Sequence, residues 1–313
     1  MRAESLVRHG VAVLRCLVAA VPVARQVNRD CRELAAAFEA VVAPSLVRAG
    51  LPEGLHDRLL GWGVSGGMLV RGYALLVNRP PRPDLEILAG VFTRLYDDLL
   101  DEFEDPTIGQ RIGRLFAGHT FVARTPLEEV LHETFDALRQ RVPRERAALP
   151  YRALGLLHRR QLRSLRQVGG GLDPAEIRDL TLAKGGLGMV VLGGLVTPDP
   201  GRSGIALLMA LGGFLQLVDD FQDVDVDRRH GVHTCATAGV LPFRDLCAAL
   251  RAVETHLGPD YHPGRRRRFL TNLYFWLYVA GVGRLLPHRP ARSGPLPRRL
   301  PLRTLIVPAE VIR

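Results

Sequence analysis

Lysine is all but missing from this chain: of its 42 Lys and Arg residues, Lys184 alone is a lysine. Cysteine is sparse. Cys16, Cys31, Cys235 and Cys247 form no C-x-x-C pair and lie too far apart in sequence to mark a zinc site, which fits a reducing, cytoplasmic setting. No stretch reaches the roughly 18 to 20 uncharged apolar residues of a spanning helix. The apolar run over 11–23 is interrupted by Arg15, and no small-residue cleavage pattern closes it, so it reads as a first core helix in a soluble protein rather than a signal peptide. Strand alternation is hard to find and no internal repeat stands out. There is no Ser-His-Asp ordering and no G-x-x-x-x-G-K-[ST] phosphate loop. His119, His132, His158, His230 and His233 lack metal-ligand spacing, and His230-x-x-His233 reads as a solvated loop pair.

What is present is a chain of 313 residues, 47% hydrophobic and 24% charged, enough to bury a large core. Its net charge of +10 suits an anionic partner. Much of the excess lies in Arg265-Arg266-Arg267-Arg268 and in residues 288–303, neither interleaved with aromatics, and no nucleic-acid motif accompanies them. These runs read as solvated basic faces, with no nucleic-acid partner. Helical periodicity recurs over 4–27, 30–48, 54–78, 83–103, 107–118, 126–141, 145–168, 174–196, 203–228, 242–257 and 264–286. Pro52, Pro80, Pro81, Pro83, Pro106, Pro126, Pro143, Pro198, Pro242 and Pro259 fall between or at the edges of these segments, and Gly169-Gly170-Gly171 reads as a linker. The expectation is an all-α fold: one helical domain over 1–286, then a Pro/Arg-rich tail over 287–313.

Two carboxylate clusters carry the functional reading. In Leu95-Tyr96-Asp97-Asp98-Leu99-Leu100-Asp101-Glu102 the acids sit inside an apolar helix, with Asp97 and Asp101 one turn apart. The second cluster is Asp219-Asp220-Phe221-Gln222-Asp223, extended by Asp227, so that Asp219, Asp223 and Asp227 repeat at intervals of four after an almost wholly apolar stretch over 207–218. Adjacent carboxylates repel and a partly buried one loses hydration, so the arrangement makes physical sense when a cation neutralises it. One D-D-x-x-D alone is an ordinary solvated face. Two of them, 122 residues apart in an all-helical chain, offer hard oxygen ligands suited to Mg²⁺, whose shell substrate phosphate oxygens commonly complete.

At these residues the chain resembles the class I isoprenoid synthase superfamily, which contains trans-prenyl diphosphate synthases and class I terpene synthases. Gly213-Phe214-Leu215-Gln216-Leu217-Val218-Asp219-Asp220-Phe221-Gln222-Asp223 is similar to that family's second aspartate-rich motif, and Asp97-Asp98-x-x-Asp101 stands where its first is placed. The resemblance implies a helical bundle with a central apolar cavity, both clusters at its mouth, three Mg²⁺ and a bound prenyl diphosphate. It also implies a diphosphate-binding lysine before the second motif, and Lys184, 35 residues ahead of Asp219, matches it. A solitary lysine among arginines independently suggests that its compact ammonium is wanted, and Gly185-Gly186-Leu187-Gly188 after it lets backbone approach a ligand. His158-x-x-Gln161-x-x-Ser164-x-x-Gln167 and Lys184-Gly185-Gly186 are similar to the bacterial large-terpene-synthase family, which includes tetraprenyl-β-curcumene synthase.

Departures from the pattern narrow the activity. Where chain-elongating members carry G-G-K-R-x-R-P for isopentenyl diphosphate, this chain has Gly66-Gly67-Met68-Leu69-Val70-Arg71-Gly72, with two cationic positions turned apolar. The N-S-E metal motif of many terpene cyclases is absent. The expected activity is therefore Mg²⁺-dependent ionisation of a linear prenyl diphosphate, C20 or longer, followed by cyclisation or elimination. The alternatives are a chain-elongating or head-to-head prenyltransferase and a non-catalytic synthase-like subunit. Asp97, Asp98, Asp101, Asp219, Asp220, Asp223 and Asp227 are the expected metal ligands. Lys184, Gln216, Arg228 and Arg229 are expected to meet the substrate or its diphosphate, the two arginines equally suiting a helix end. Phe92 and Tyr96, with Phe214, Phe221, Tyr274, Trp276 and Tyr278, are candidate walls around a carbocation, although aromatics at helical spacing ordinarily just pack. Peripheral contact of the basic patches with a membrane surface, and a homodimer, are left open.

Overall fold

The computed structural model describes residues 24–101, 107–168 and 171–285, with backbone alone at 101, 279 and 282–285. Most of the helix expected over 4–27, and the whole 287–313 tail, lie outside the described residues. The described chain is helical: α1 over 24–41, α2 Ala43–Arg48, α3 Glu53–Leu76, α4 Pro83–Asp101, α5 Ile108–Ala117, α6 Pro126–Arg141, α7 Ala148–Ser164, α8 Pro174–Val196, α9 Gly201–Arg229, α10 Phe243–His256 and α11 Pro263–Leu285. An isolated bridge between Val168 and Val232 is the one extended pairing among the described residues. The all-α reading holds.

Most boundaries follow the proline and glycine punctuation. The segment expected over 30–48 is instead split at Val42, because Pro44 has no N–H to give the carbonyl of residue 40; the helix stops and restarts with proline in the first turn of α2. Thr125 caps α6 by accepting the Glu128 N–H at 3.3 Å, and the Glu128 carboxylate in turn accepts the Arg124 N–H at 2.8 Å. Gly118 ends α5 in the left-handed conformation, φ 91°.

Contacts gather into two compact units. One contains residues 24–151 with 195–198, the other 152–194 and 199–285. In the first unit α3 and α4 touch backbone to backbone: a Cβ on Gly90 would lie 2.3 Å from the Gly63 carbonyl oxygen, so nothing larger than glycine fits. Beside this crossing Phe92, Tyr96, Phe116, Phe135 and Tyr151 form an aromatic cluster with ring centroids 5.4–6.3 Å apart. Arg71, 1% exposed, donates to Asp30 at 2.9 Å, Glu33 at 2.8 Å and Glu86 at 2.8 Å. The second unit repeats the glycine device, since a Cβ on Gly212 would lie 2.0 Å from the Gly185 carbonyl oxygen and pin α9 to α8. Helices α10 and α11 pack on α9, with Phe243 of α10 6.0 Å from Phe221.

The expectation of a cytoplasmic protein without a membrane-crossing candidate is overturned. Three helices, α3, α8 and α9, with 24, 23 and 29 residues, are long and apolar enough to cross a membrane by length and composition. The sequence reading required an uninterrupted uncharged run. A helix does not end at one charge, and 23 residues at 1.5 Å each extend about 35 Å, more than a hydrocarbon core of about 30 Å. The finding points to association with a membrane instead of the cytoplasm.

Candidate active site

Helix α9 is apolar up to Val218 and acidic beyond it. Asp219 is exposed, Asp220 is buried, and Asp223 and Asp227 are half-buried. The four-residue interval keeps Asp219, Asp223 and Asp227 on one side of the helix. Asp220 accepts from Thr181 Oγ1 of α8 at 3.3 Å and from Gln216 Nε2, one turn back, at 3.5 Å; the same amide donates to Asp219 at 3.2 Å. Asp227 is hydrogen-bonded by Thr234, in the loop after α9. Cys235, also buried, places its Sγ 3.9 Å from Thr181 Oγ1.

These neighbours are nearly all neutral, and the carboxyls respond. Burial first, and the Asp219 charge second, push Asp220 up to about 7, against the pull of Gln216 and Lys184. Asp223 is pushed up to about 6, by burial and then by Asp227 and Asp220. Burial also raises Asp227, opposed by Thr234, His230 and Lys184. Lys184 is half-buried on α8 directly before Gly185, so the Gly185–Gly212 contact that brings α8 onto α9 also brings its charge within reach of Asp220 and Asp227. Arg228 and Arg229 are exposed in the last turn of α9, with Arg228 3.6 Å from Asp225.

The first cluster, on α4, has different company. Asp97 is half-buried, Asp98 is 1% exposed, and the Asp101 side chain lies outside the described residues. Asp98 is held by Arg58 of α3 at 3.0 Å and by Arg94, one turn back, whose guanidinium lies over the Trp62 ring at 5.2 Å. Phe92 and Tyr96 are buried in the aromatic cluster. Phe214 is buried on α9; Tyr274, stacked on Tyr278 at 6.2 Å, donates to Glu254 at 2.8 Å. His158, Gln161 and Ser164 share the buried face of α7.

No family model, curated protein or solved structure matches the chain. The chemistry of the site is therefore argued from its residues. Among the described residues no three Asp, Glu, His or Cys side chains form a ready-made cage. Magnesium does not require one, because it keeps several waters and is commonly held by one or two carboxylates plus substrate phosphate oxygens. The α9 cluster fits that description: hard oxygen donors, partly desolvated, repelling one another, and faced by a single ammonium.

Sequence reasoning missed Thr181, Thr234, Arg58 and Arg94. Two left a signal. Thr181 lies one turn before Lys184 in an otherwise apolar stretch of α8, and Arg94 is four residues before Asp98.

A pH dependence follows from the raised carboxyls. Asp220 and Asp223 bind protons more tightly folded than unfolded, so their stabilising contribution is full below the unfolded value near 3.8 and is lost as pH rises through about 6 to 7. The metal-free protein should melt several degrees higher at pH 5 than at pH 8, by differential scanning fluorimetry in EDTA. Added Mg²⁺ should raise the melting temperature more at pH 8, where the carboxylates are ionised. A melting temperature that climbs steadily from pH 5 to 8 in EDTA would count against an uncompensated acidic cluster.

Proposed function

We propose that the chain is a magnesium-dependent enzyme of the class I terpene synthase type, with that superfamily's helical bundle and apolar cavity, which ionises a linear prenyl diphosphate of C20 or longer. The observation that carries this reading is the α9 cluster: Asp219 stands beside Asp220, Asp223 and Asp227 at a partly buried helix end, the last three with proton affinities driven up by burial, and Lys184 of α8 acts on Asp220 and Asp227. Burial and mutual repulsion make that charge costly, and a polyvalent cation shared with a polyanionic ligand would relieve the cost. Asp219, Asp220, Asp223 and Asp227 would hold magnesium on α9, and Asp97 and Asp101 would be the ligands on α4. Bound Mg²⁺ supplies Lewis acidity that stabilises charge on the departing diphosphate.

The chain's own residues do the rest. Lys184 donates its ammonium to the diphosphate, and Gln216, hydrogen-bonded to Asp219 and Asp220, fixes the directions of both carboxylates. The allylic C–O bond breaks with its electron pair remaining on the diphosphate oxygen, and the resulting carbocation, directly or after closing a ring, loses a proton to the released diphosphate and leaves as neutral hydrocarbon. Apolar surroundings keep water from the cation. A long-chain substrate is itself a membrane lipid, so the three apolar helices and the basic net charge fit an enzyme working beside a bilayer.

Elimination or cyclisation is favoured over chain elongation by Arg71. It is the one cation remaining in Gly66-Gly67-Met68-Leu69-Val70-Arg71-Gly72, and it is buried and bound to three carboxylates, leaving no counter-charge there for a second diphosphate. Incubating the purified protein with a C20 prenyl diphosphate and Mg²⁺, with and without isopentenyl diphosphate, tests this. Hydrocarbon from the single substrate is expected; a longer diphosphate appearing only with both would establish a prenyltransferase instead.

Lys184 gives a sharper test of the diphosphate contact. Lys184→Ala should lose a charge-assisted hydrogen bond of about 2 kcal/mol, near thirtyfold in kcat/KM. Lys184→Arg should also lower kcat clearly, because a planar guanidinium cannot replace a point charge beside the close α8–α9 contact. Wild-type turnover in the arginine variant would make Lys184 an incidental surface charge.

A further inference from the structure

Helix α7 and the turn that follows it expose a face of one charge. No acid stands between Glu145 and Asp173, yet Arg152, Arg159, Arg160, Arg163 and Arg166 all fall there, and all five are exposed. Helical spacing places them on the side opposite the buried Leu154 and Leu157. Arg163 pairs with Glu176 at 2.6 Å, and Arg166 donates to the Gly171 carbonyl at 3.3 Å. Arg152, Arg159 and Arg160 have no ion-pair partner among the described residues. Like charges three and four residues apart repel, so this face destabilises its own helix when it meets only water.

Apolar side chains are exposed on the same segment. Leu156, Leu162, Leu165 and Val168, the last 60% exposed, are four of the eight large apolar side chains that the described residues expose. A single exposed leucine is ordinary, but a group of them rimmed by guanidiniums marks an interaction surface. The Arg265–Arg268 run lacks this company, since no described residue of α11 exposes a large apolar side chain. The segment also leads to the acidic end of α9, in the same compact unit. Val168 pairs with Val232, the His233 N–H donates to the Gln167 carbonyl, and Gln167 Nε2 donates back to the His233 carbonyl, both at 2.9 Å. The Val232 N–H then donates to the Asp227 carbonyl at 2.9 Å, and Thr234 to the Asp227 carboxylate.

We propose that the exposed face over 152–168 docks on a bilayer containing anionic phospholipid, with the guanidiniums on lipid phosphates and Leu156, Leu162, Leu165 and Val168 at the acyl boundary. Charge complementarity selects the anionic surface, and the arginines keep the helix at headgroup level, because a guanidinium in hydrocarbon is strongly disfavoured. Aliphatic side chains with no Phe, Tyr or Trp over 152–168 suit acyl chains and not stacked bases. Docked this way, the acidic end of α9 stands beside the headgroup plane. Its use for a lipid diphosphate rests on the functional reading above, whereas the docking itself does not.

Cosedimentation of the purified full-length protein with vesicles, without substrate or Mg²⁺, tests this. Vesicles of phosphatidylcholine and phosphatidylglycerol in equal parts should bind at least about tenfold more tightly than phosphatidylcholine alone, and added salt should weaken the binding. Arg152→Gln, Arg159→Gln and Arg160→Gln together should weaken it by at least about tenfold. Val168→Asp should weaken it by about fivefold, and it carries the test should the triple variant fail to fold. Taking the same charge from α11, by Arg266→Gln, Arg267→Gln and Arg268→Gln together, should cost less than about threefold. No preference for the anionic vesicles, wild-type binding by Val168→Asp, or an equal loss in the α11 variant overturns the inference. So does a dimer that the α7 variant dissolves in a protein without vesicle affinity, which would make the face a contact between two copies. Loss of vesicle binding leaves the diphosphate chemistry standing, and a protein that binds vesicles but releases no diphosphate fails the functional reading alone.

Discussion

Asp219→Ala and Asp223→Ala should each lower kcat/KM for diphosphate release by at least about 100-fold, the scale on which removing one stabiliser of developing charge acts in enzymes. Neither should unfold the protein. Asp219 is exposed, so its loss removes a ligand without leaving a hole. Asp223 is half-buried and held with its carboxyl up near 6 by burial and by Asp227 and Asp220, so deleting it relieves repulsion in the metal-free state. The melting temperature in EDTA should stay level for Asp219→Ala and rise for Asp223→Ala. Asp97→Ala on α4 should also remove most activity. Near-wild-type turnover in any of these variants sinks the assignment of that residue to the metal site. A large fall in melting temperature would make it structural.

Arg71→Met should have the largest effect on folding. Arg71 is almost completely buried, and it binds Asp30, Glu33 and Glu86, of which Asp30 and Glu86 are buried with it. Replacing the guanidinium with a thioether strands two buried carboxyls without a counter-ion, which typically costs about 3–5 kcal/mol. Glu86 shows how finely this is balanced: burial raises its carboxyl even with the Arg82 N–H and Arg71 pulling it down. Adding Asp30→Asn and Glu86→Gln to Arg71→Met should restore most of the loss, because the desolvated charge has then gone from both sides. Urea unfolding measures both. A single variant within about 1 kcal/mol of wild type would mean that these carboxyls reach water.

The helices can be read from the sequence because prolines and glycines mark their ends, and Pro44 marks the split at Val42 in the same way. The acids of both clusters stood out because carboxylates inside apolar runs are costly and therefore informative. Their counter-ions did not. Arg58 lies 40 residues before Asp98 and Thr181 lies 39 before Asp220, so only packing of α3 on α4, and of α8 on α9, brings them together. Spacing alone also could not separate a cavity wall from a packed core: Phe92 and Tyr96 turn out to pack with Phe116 and Phe135.

The central claim is tested most directly by inorganic diphosphate release from a C20 prenyl diphosphate by the purified, folded protein, with Mg²⁺ and then with excess EDTA. The account predicts release only with Mg²⁺, matched mole for mole by hydrocarbon product. Folded protein that releases no diphosphate from any C10 to C35 substrate in the presence of Mg²⁺ would contradict it.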